Sequence, residues 1–176
     1  MAIVLTFWLL SMRPVLGLLV GGTILALGGQ ALRLWAAGHL IKDRVLTTTG
    51  PFAYTRHPLY LGSTLIGLGL CLASGIWWSY LLIAVVFALF YLPTAAFEEE
   101  WLRETYGESY DRYREAVPGV GVRRSRYDPP APTAIAPDRG FAWGRILKNR
   151  EHHTALATTL LLAAFWARLL FVGGGS

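Results

Sequence analysis

Residues 58–97 read PLYLGSTLIGLGLCLASGIWWSYLLIAVVFALFYLPTAAF, a run without one formally charged side chain. A helix rising 1.5 Å per residue needs about 20 apolar residues to cross a hydrocarbon layer of about 30 Å. The run therefore accommodates two crossings, 58–75 and 76–97, joined at Ser74-Gly75. Pro58 suits the first turn of a helix, where its missing N–H costs nothing. Pro93 is expected to kink the second crossing near its end.

Moving outward, residues 15–37 and 152–172 form further spans, and 1–12 is apolar but short for a full crossing. Arg13-Pro14 makes a turn between the first two. The 176 residues are 54% hydrophobic and 15% charged, against about 25% charged for a soluble domain. The expected fold is all-α: a multi-pass transmembrane bundle of about five helices, one domain over 1–172, embedded in the lipid bilayer. The final Gly-Gly-Gly-Ser, 173–176, reads as a linker scar. MAIVLTFWLL lacks a basic leading region and a cleavage site, so it reads as a retained helix.

Charge sets the orientation. Of 16 Lys and Arg residues, 13 fall within 38–57 and 98–150. By the positive-inside bias these two segments and the N-terminus face the cytosol and the C-terminus lies outside. The net charge of +5 is explained the same way, and no nucleic-acid partner is expected. Cys71, the single cysteine, sits in an apolar run; it forms no internal disulfide, and no metal site is expected.

Spans 15–37 and 58–75 are rich in small residues: Gly17, Gly21, Gly22, Gly28 and Gly29 in the first, Gly62, Ser63, Gly67 and Gly69 in the second. Small residues let helix backbones approach closely in lipid. Arg33, late in its span, is expected to snorkel to the interface. Residues 98–117 place Leu102, Tyr106, Tyr110, Tyr113 and Val117 on one helical face, which predicts one amphipathic helix along the membrane surface, ended by Pro118-Gly119. Residues 119–140 are Pro-rich and read as loop, and 141–150 as a short interfacial lead-in to the last span.

Two places put polar groups where a membrane protein avoids them. Arg56 and His57 stand at the N-terminus of the span that Pro58 opens, where free N–H groups and the helix dipole favour an anion. Either an anionic ligand group joins them, or Arg56 meets lipid phosphate and His57 caps the helix. Glu98-Glu99-Glu100 lies at the end of the next span on the same side. Either these are a solvated helix turn, or Glu98 and Glu99 turn inward to face a cation. An anion-binding helix start beside a carboxylate cluster suits a zwitterionic ligand.

The stretches TTTGPFAYTRHPLYLG (47–62) and EEEWLRETYGESYDRYREAVP (98–118), with ALRLWAAGHLIK (31–42) upstream, resemble the isoprenylcysteine carboxyl methyltransferase and phospholipid methyltransferase family of membrane enzymes. The resemblance implies S-adenosyl-L-methionine as methyl donor and a lipophilic, membrane-embedded acceptor: an isoprenylcysteine-like carboxylate, a lipid amine or a thiol. Carried over by position, the cofactor contacts would be Arg44, Val45, Leu46, Thr47, Phe52, His57, Pro58, Leu59 and Tyr60, with Arg56 beside them and His39 as a further candidate. Glu99 would be the functional glutamate, with Glu98 next to it. Phe52 departs from the family's usual tyrosine. The isoprenylcysteine enzymes carry an arginine shortly before that glutamate, and Thr94-Ala95-Ala96-Phe97 has none. Other functions compatible with such a scaffold are an NADPH-dependent membrane reductase and a non-catalytic lipid-binding protein.

Overall fold

The computed structural model describes residues 15–41, 45–129 and 140–173. The expected first span (1–12), the Arg13-Pro14 turn, Arg44 and the middle of the Pro-rich loop lie outside the described residues. Within them the chain is helical and holds no strand. Helix α1 spans Leu16–His39, α2 Pro58–Ser74, α3 Trp78–Tyr106, α4 Glu108–Ala116, α5 Trp143–Lys148 and α6 Glu151–Gly173. Helices α1, α3 and α6 are long and apolar enough to cross a membrane, and α2 is a shorter apolar helix of 17 residues. The protein is an integral membrane helical bundle.

The seam between α1 and α2 is glycine against backbone. A Cβ on Gly22 would lie 2.4 Å from the Gly69 carbonyl oxygen, and one on Gly29 would lie 2.6 Å from that of Gly62. Any side chain at these positions would force the helices apart, so the small residues are what brings α1 and α2 together. Gly17 and Gly28, on other faces, meet nothing within 4 Å. Helix α6 closes over α1: Leu19, Ala73, Ile76 and Phe165 form a buried cluster, and Trp166 Nε1 donates to Thr23 Oγ1 at 3.2 Å.

Arg33 does not snorkel. Its Nη2 and Nε reach Glu151 at 2.7 and 3.0 Å, and Nη1 donates to the Leu59 carbonyl at 3.1 Å and to Ser63 Oγ. Glu151 is buried, and such a carboxylate is tolerated in low dielectric only when paired. One guanidinium thus ties α1, α2 and α6 together. The last carbonyls of α1, which no helical N–H can reach, are also satisfied: Asn149 Nδ2 donates to Ala37 and the Ala142 N–H to Gly38, each at 2.9 Å.

The expected single helix over 98–117 is two. Nothing at Phe97–Glu98 breaks a helix, and the Glu, Trp, Leu and Arg that follow are helix-compatible. Helix α3 accordingly runs on to Tyr106. The chain turns at Gly107, whose φ of +52° is a region open to glycine, and α4 follows. Ahead of Pro93, residues Phe87–Tyr91 form a π-turn, an irregularity of the kind that a missing proline N–H provokes. Along the apolar window of α3 no residue is buried within the chain.

The aromatic face of α4 also points elsewhere than expected. Tyr110, Tyr113 and Val117 are buried against Ala53 and Tyr127, inside the protein rather than on the membrane surface. The segment before α2 is pinned there: the Arg56 N–H donates to the Pro118 carbonyl (2.9 Å), the Arg123 N–H to Tyr54 (2.8 Å) and Tyr113 Oη to Phe52 (2.7 Å).

Candidate functional site

At one end of the bundle, a 3-10 turn at Gly50–Ala53 leads through Tyr54 and Thr55 to Arg56 and His57. His57 is the N-cap of α2, with Pro58 next, and its carbonyl accepts the Leu61 N–H at 3.0 Å. Pairing to Pro118 holds the Arg56 backbone, so both side chains leave a fixed frame. Helix α3 passes alongside and presents Glu98 and Glu99. Successive helical residues diverge by about 100°, and these two make different contacts.

Glu99 meets the cations. Its Oε1 lies 2.9 Å from His57 Nε2 and 3.1 Å from Arg56 Nη2, while Oε2 lies 3.6 Å from Arg114 Nε. A carboxylate only accepts, so Nε2 of His57 is the protonated nitrogen here. Cationic side chains at a helix N-terminus oppose the dipole, and Glu99 offsets that within the protein. Glu98 instead accepts from Tyr60 Oη at 2.9 Å.

Beside this knot is a cavity of about 220 Å³. Of the residues singled out from the sequence, Val45, Leu46, Thr47, Phe52, Arg56, His57 and Glu98 line it. Leu40 and Ile41, and Trp101, Leu102, Tyr106, Tyr110 and Tyr113 of α3 and α4, complete it; the sequence signal for the tyrosines was their helical spacing, which assigns them a shared face but not its destination. Among the described residues, Arg56 Nε and Nη1 and the Tyr110 hydroxyl are buried without a hydrogen-bond partner. Burial first, then the nearby Glu99 charge, push the Tyr110 phenol up to about 12. Burial likewise raises Tyr113.

The other sequence candidates fall elsewhere. His39 Nδ1 lies 2.9 Å from the Trp35 carbonyl oxygen, and its ring meets Phe141 edge-on at 5.8 Å. It props Gly50, where an added Cβ would come within 2.5 Å of the imidazole, and does not line the cavity. Pro58 is fully buried, and the Leu59 carbonyl is taken by Arg33. Tyr60 lines a second, smaller cavity of about 90 Å³ on the other side of His57. Arg44 lies outside the described residues.

A family model described as phospholipid methyltransferase matches residues 18–109, from α1 to the start of α4. A protein-S-isoprenylcysteine O-methyltransferase of Schizosaccharomyces pombe is 34% identical over 103 residues, 58% of this chain and 44% of that protein. The cobalt-zinc-cadmium resistance protein CzcN of Cupriavidus metallidurans is 32% identical over 122 residues, 68% of this chain and 54% of that protein. The chain spans about half the length of these curated relatives. No solved structure matches. The matched segment carries both halves of the knot, His57 and Glu99, and the chain belongs to the phospholipid methyltransferase family.

Proposed function

We propose that this protein transfers a methyl group from S-adenosyl-L-methionine to a lipophilic acceptor held in the membrane, with the site facing the cytosol as the Lys and Arg distribution suggests. The observation that carries the proposal is the larger cavity, whose wall brings Arg56, Tyr110 and Glu98 together beside buried donors that have no partner among the described residues. A buried donor left unbonded costs about 1–3 kcal/mol, and a ligand acceptor removes that cost. A carboxylate suits the Arg56 guanidinium and the Tyr110 hydroxyl; Glu98 on the same wall suits the ammonium and sulfonium charges. Phe52 and Tyr106 offer rings for an adenine, and the backbone at Val45–Leu46–Thr47 adds polar contacts.

When bound, S-adenosyl-L-methionine supplies an electrophilic methyl group. The protein's share is to hold and align the reactants and to keep water away, a contribution of positioning and desolvation. Glu99 holds Arg56 and His57 in place through their contacts at 3.1 and 2.9 Å. Ringed by the Arg56, His57 and Arg114 side chains, it is a positioning group rather than a base. Glu98, free of such neighbours apart from the Tyr60 hydroxyl, is the carboxylate suited to accept a proton from a protonated acceptor.

Isothermal titration of the detergent-solubilised protein with S-adenosylhomocysteine and with NADPH tests this. Binding of the first alone is expected, and Arg56→Gln weakens it about ten- to a hundredfold, as loss of charge-assisted hydrogen bonds predicts. Binding of NADPH alone supports the reductase, and binding of neither the non-catalytic scaffold.

A further inference from the structure

One wall of the larger cavity is made by Leu40, Ile41 and Val45–Leu46–Thr47. Among the described residues, none between His39 and Gly50 belongs to a helix, so no repeating backbone ladder sets where this wall stands. Side chains bond it instead. Within the wall, Thr47 Oγ1 accepts the Ile41 N–H at 3.3 Å. From outside, Asn149 at the C-terminus of α5 donates through Nδ2 to the Ala37 carbonyl at 2.9 Å and to the Leu40 carbonyl at 3.3 Å. Both partners are acceptors, so only the amino group of the amide fits there. The chain turns from α5 into α6 at the next residue, Arg150, whose φ of +59° is held by a residue with a Cβ only where its surroundings impose it. The Ala142 N–H and Arg145 Nη1 also reach the end of α1, at the Gly38 carbonyl. Asn149 goes one step further, past His39 to a residue that lines the cavity. It does not line the cavity itself, and it lies beyond the family-matched residues 18–109.

We propose that Asn149 is a positioning residue for the methyl donor: by holding the Leu40 carbonyl it keeps the Leu40–Ile41 edge of the cavity in its binding geometry before the ligand arrives. A wall left loose has to be ordered during binding, and that ordering is subtracted from affinity. The effect reaches the ligand through backbone, with no contact between Asn149 and the donor. It also makes the turn between α5 and α6 part of the binding apparatus, 109 residues along the chain from Leu40. The identity of the ligand rests on the methyl-transfer proposal; the hold on Leu40 rests on the contacts alone.

The test compares the full chain in detergent with Asn149→Asp, Asn149→Ala and Ile146→Ala. Asn149→Asp keeps the shape but sets an oxygen against both carbonyls, and Asn149→Ala removes the donor without that repulsion, which covers the case of Asn149→Asp failing to fold. Ile146 is buried in α5, so Ile146→Ala loosens the same turn by packing while Asn149 keeps its bonds. Titration with S-adenosylhomocysteine is expected to weaken about tenfold in Asn149→Asp and severalfold in Asn149→Ala. Ile146→Ala lowers the melting temperature at least as much and leaves that affinity within about twofold. In the ligand-free protein, hydrogen exchange at the Leu40 and Ile41 amides is faster in both Asn149 variants than in the wild type. Unchanged affinity in the Asn149 variants, or affinity that follows the melting temperature across all three, overturns the assignment. Should the wild type itself fail to bind S-adenosylhomocysteine, the donor proposal falls, and exchange at Leu40 and Ile41 still decides whether Asn149 holds the wall: no change there overturns that too.

Discussion

Tyr110 shows how one side chain reports a site. The residue is 1% exposed, yet its hydroxyl has no partner among the described residues. A buried orphan hydroxyl costs stability, so Tyr110→Phe is expected to raise the stability of the ligand-free protein by about 1 kcal/mol while lowering affinity for S-adenosylhomocysteine severalfold. Thermal unfolding and titration calorimetry read the two effects, and loss of stability would count against the hydroxyl's being orphaned. The same residue predicts a pH dependence. Its pKa is raised from 10.0 to about 12, so the folded state favours the neutral phenol. That contribution to stability is full below pH 10 and is lost as pH climbs through 12. Tyr110→Phe should flatten the alkaline fall in melting temperature, measured from pH 9 to 12.

Among elements, the α1–α2 seam carries the packing. Gly69→Leu would drive a side chain into Ala26 and the Gly22 carbonyl, both within 3 Å of its Cβ. Overpacking of this kind costs about 1–3 kcal/mol, and here the obstacle is backbone, which cannot rotate away. Gly28→Leu points into open space and is expected to leave the melting temperature in detergent nearly unchanged. Equal effects from the two would mean the seam is not where the helices meet. Helix α3 is held differently: beyond its turn from α2 it meets that helix through Ile83 at Gly67, Tyr91 at Tyr60, and the Glu98 and Glu99 contacts at its far end. Glu99→Ala should therefore lower turnover and also loosen α3, read as faster hydrogen exchange along it.

For the whole molecule, Arg33 and Glu151 join the family-matched core to the last helix, which lies beyond the matched residues 18–109. Breaking a buried pair leaves an uncompensated charge and costs about 3–5 kcal/mol, whereas removing both partners is far milder. Arg33→Met and Glu151→Leu are each expected to be severely destabilising and the double variant closer to wild type. Thermal unfolding of all four proteins gives the coupling, and additive losses would sink the idea. Because Arg33 also holds the Leu59 carbonyl, two residues from His57, the single variants should weaken cofactor-analogue binding as well.

Read alone, the chain determined its solvent and its local structure. Long uncharged runs must be helical in lipid, since no other single segment satisfies its own backbone there. Pro58 marked a helix start and the paired glycines marked a contact face, because those residues act on their immediate neighbours. Arg56, His57, Glu98 and Glu99 were legible as candidates because charge beside an apolar boundary is costly wherever it occurs. Which charge meets which was decided only in three dimensions. His57 and Glu99 are 42 residues apart and Arg33 and Glu151 118, and their pairing depends on how whole helices rotate and cross. The same holds for the tyrosines of α4, whose common face is set by helical period but whose burial is set by what packs against it, and for His39, which a motif could not exclude from the cavity and packing did.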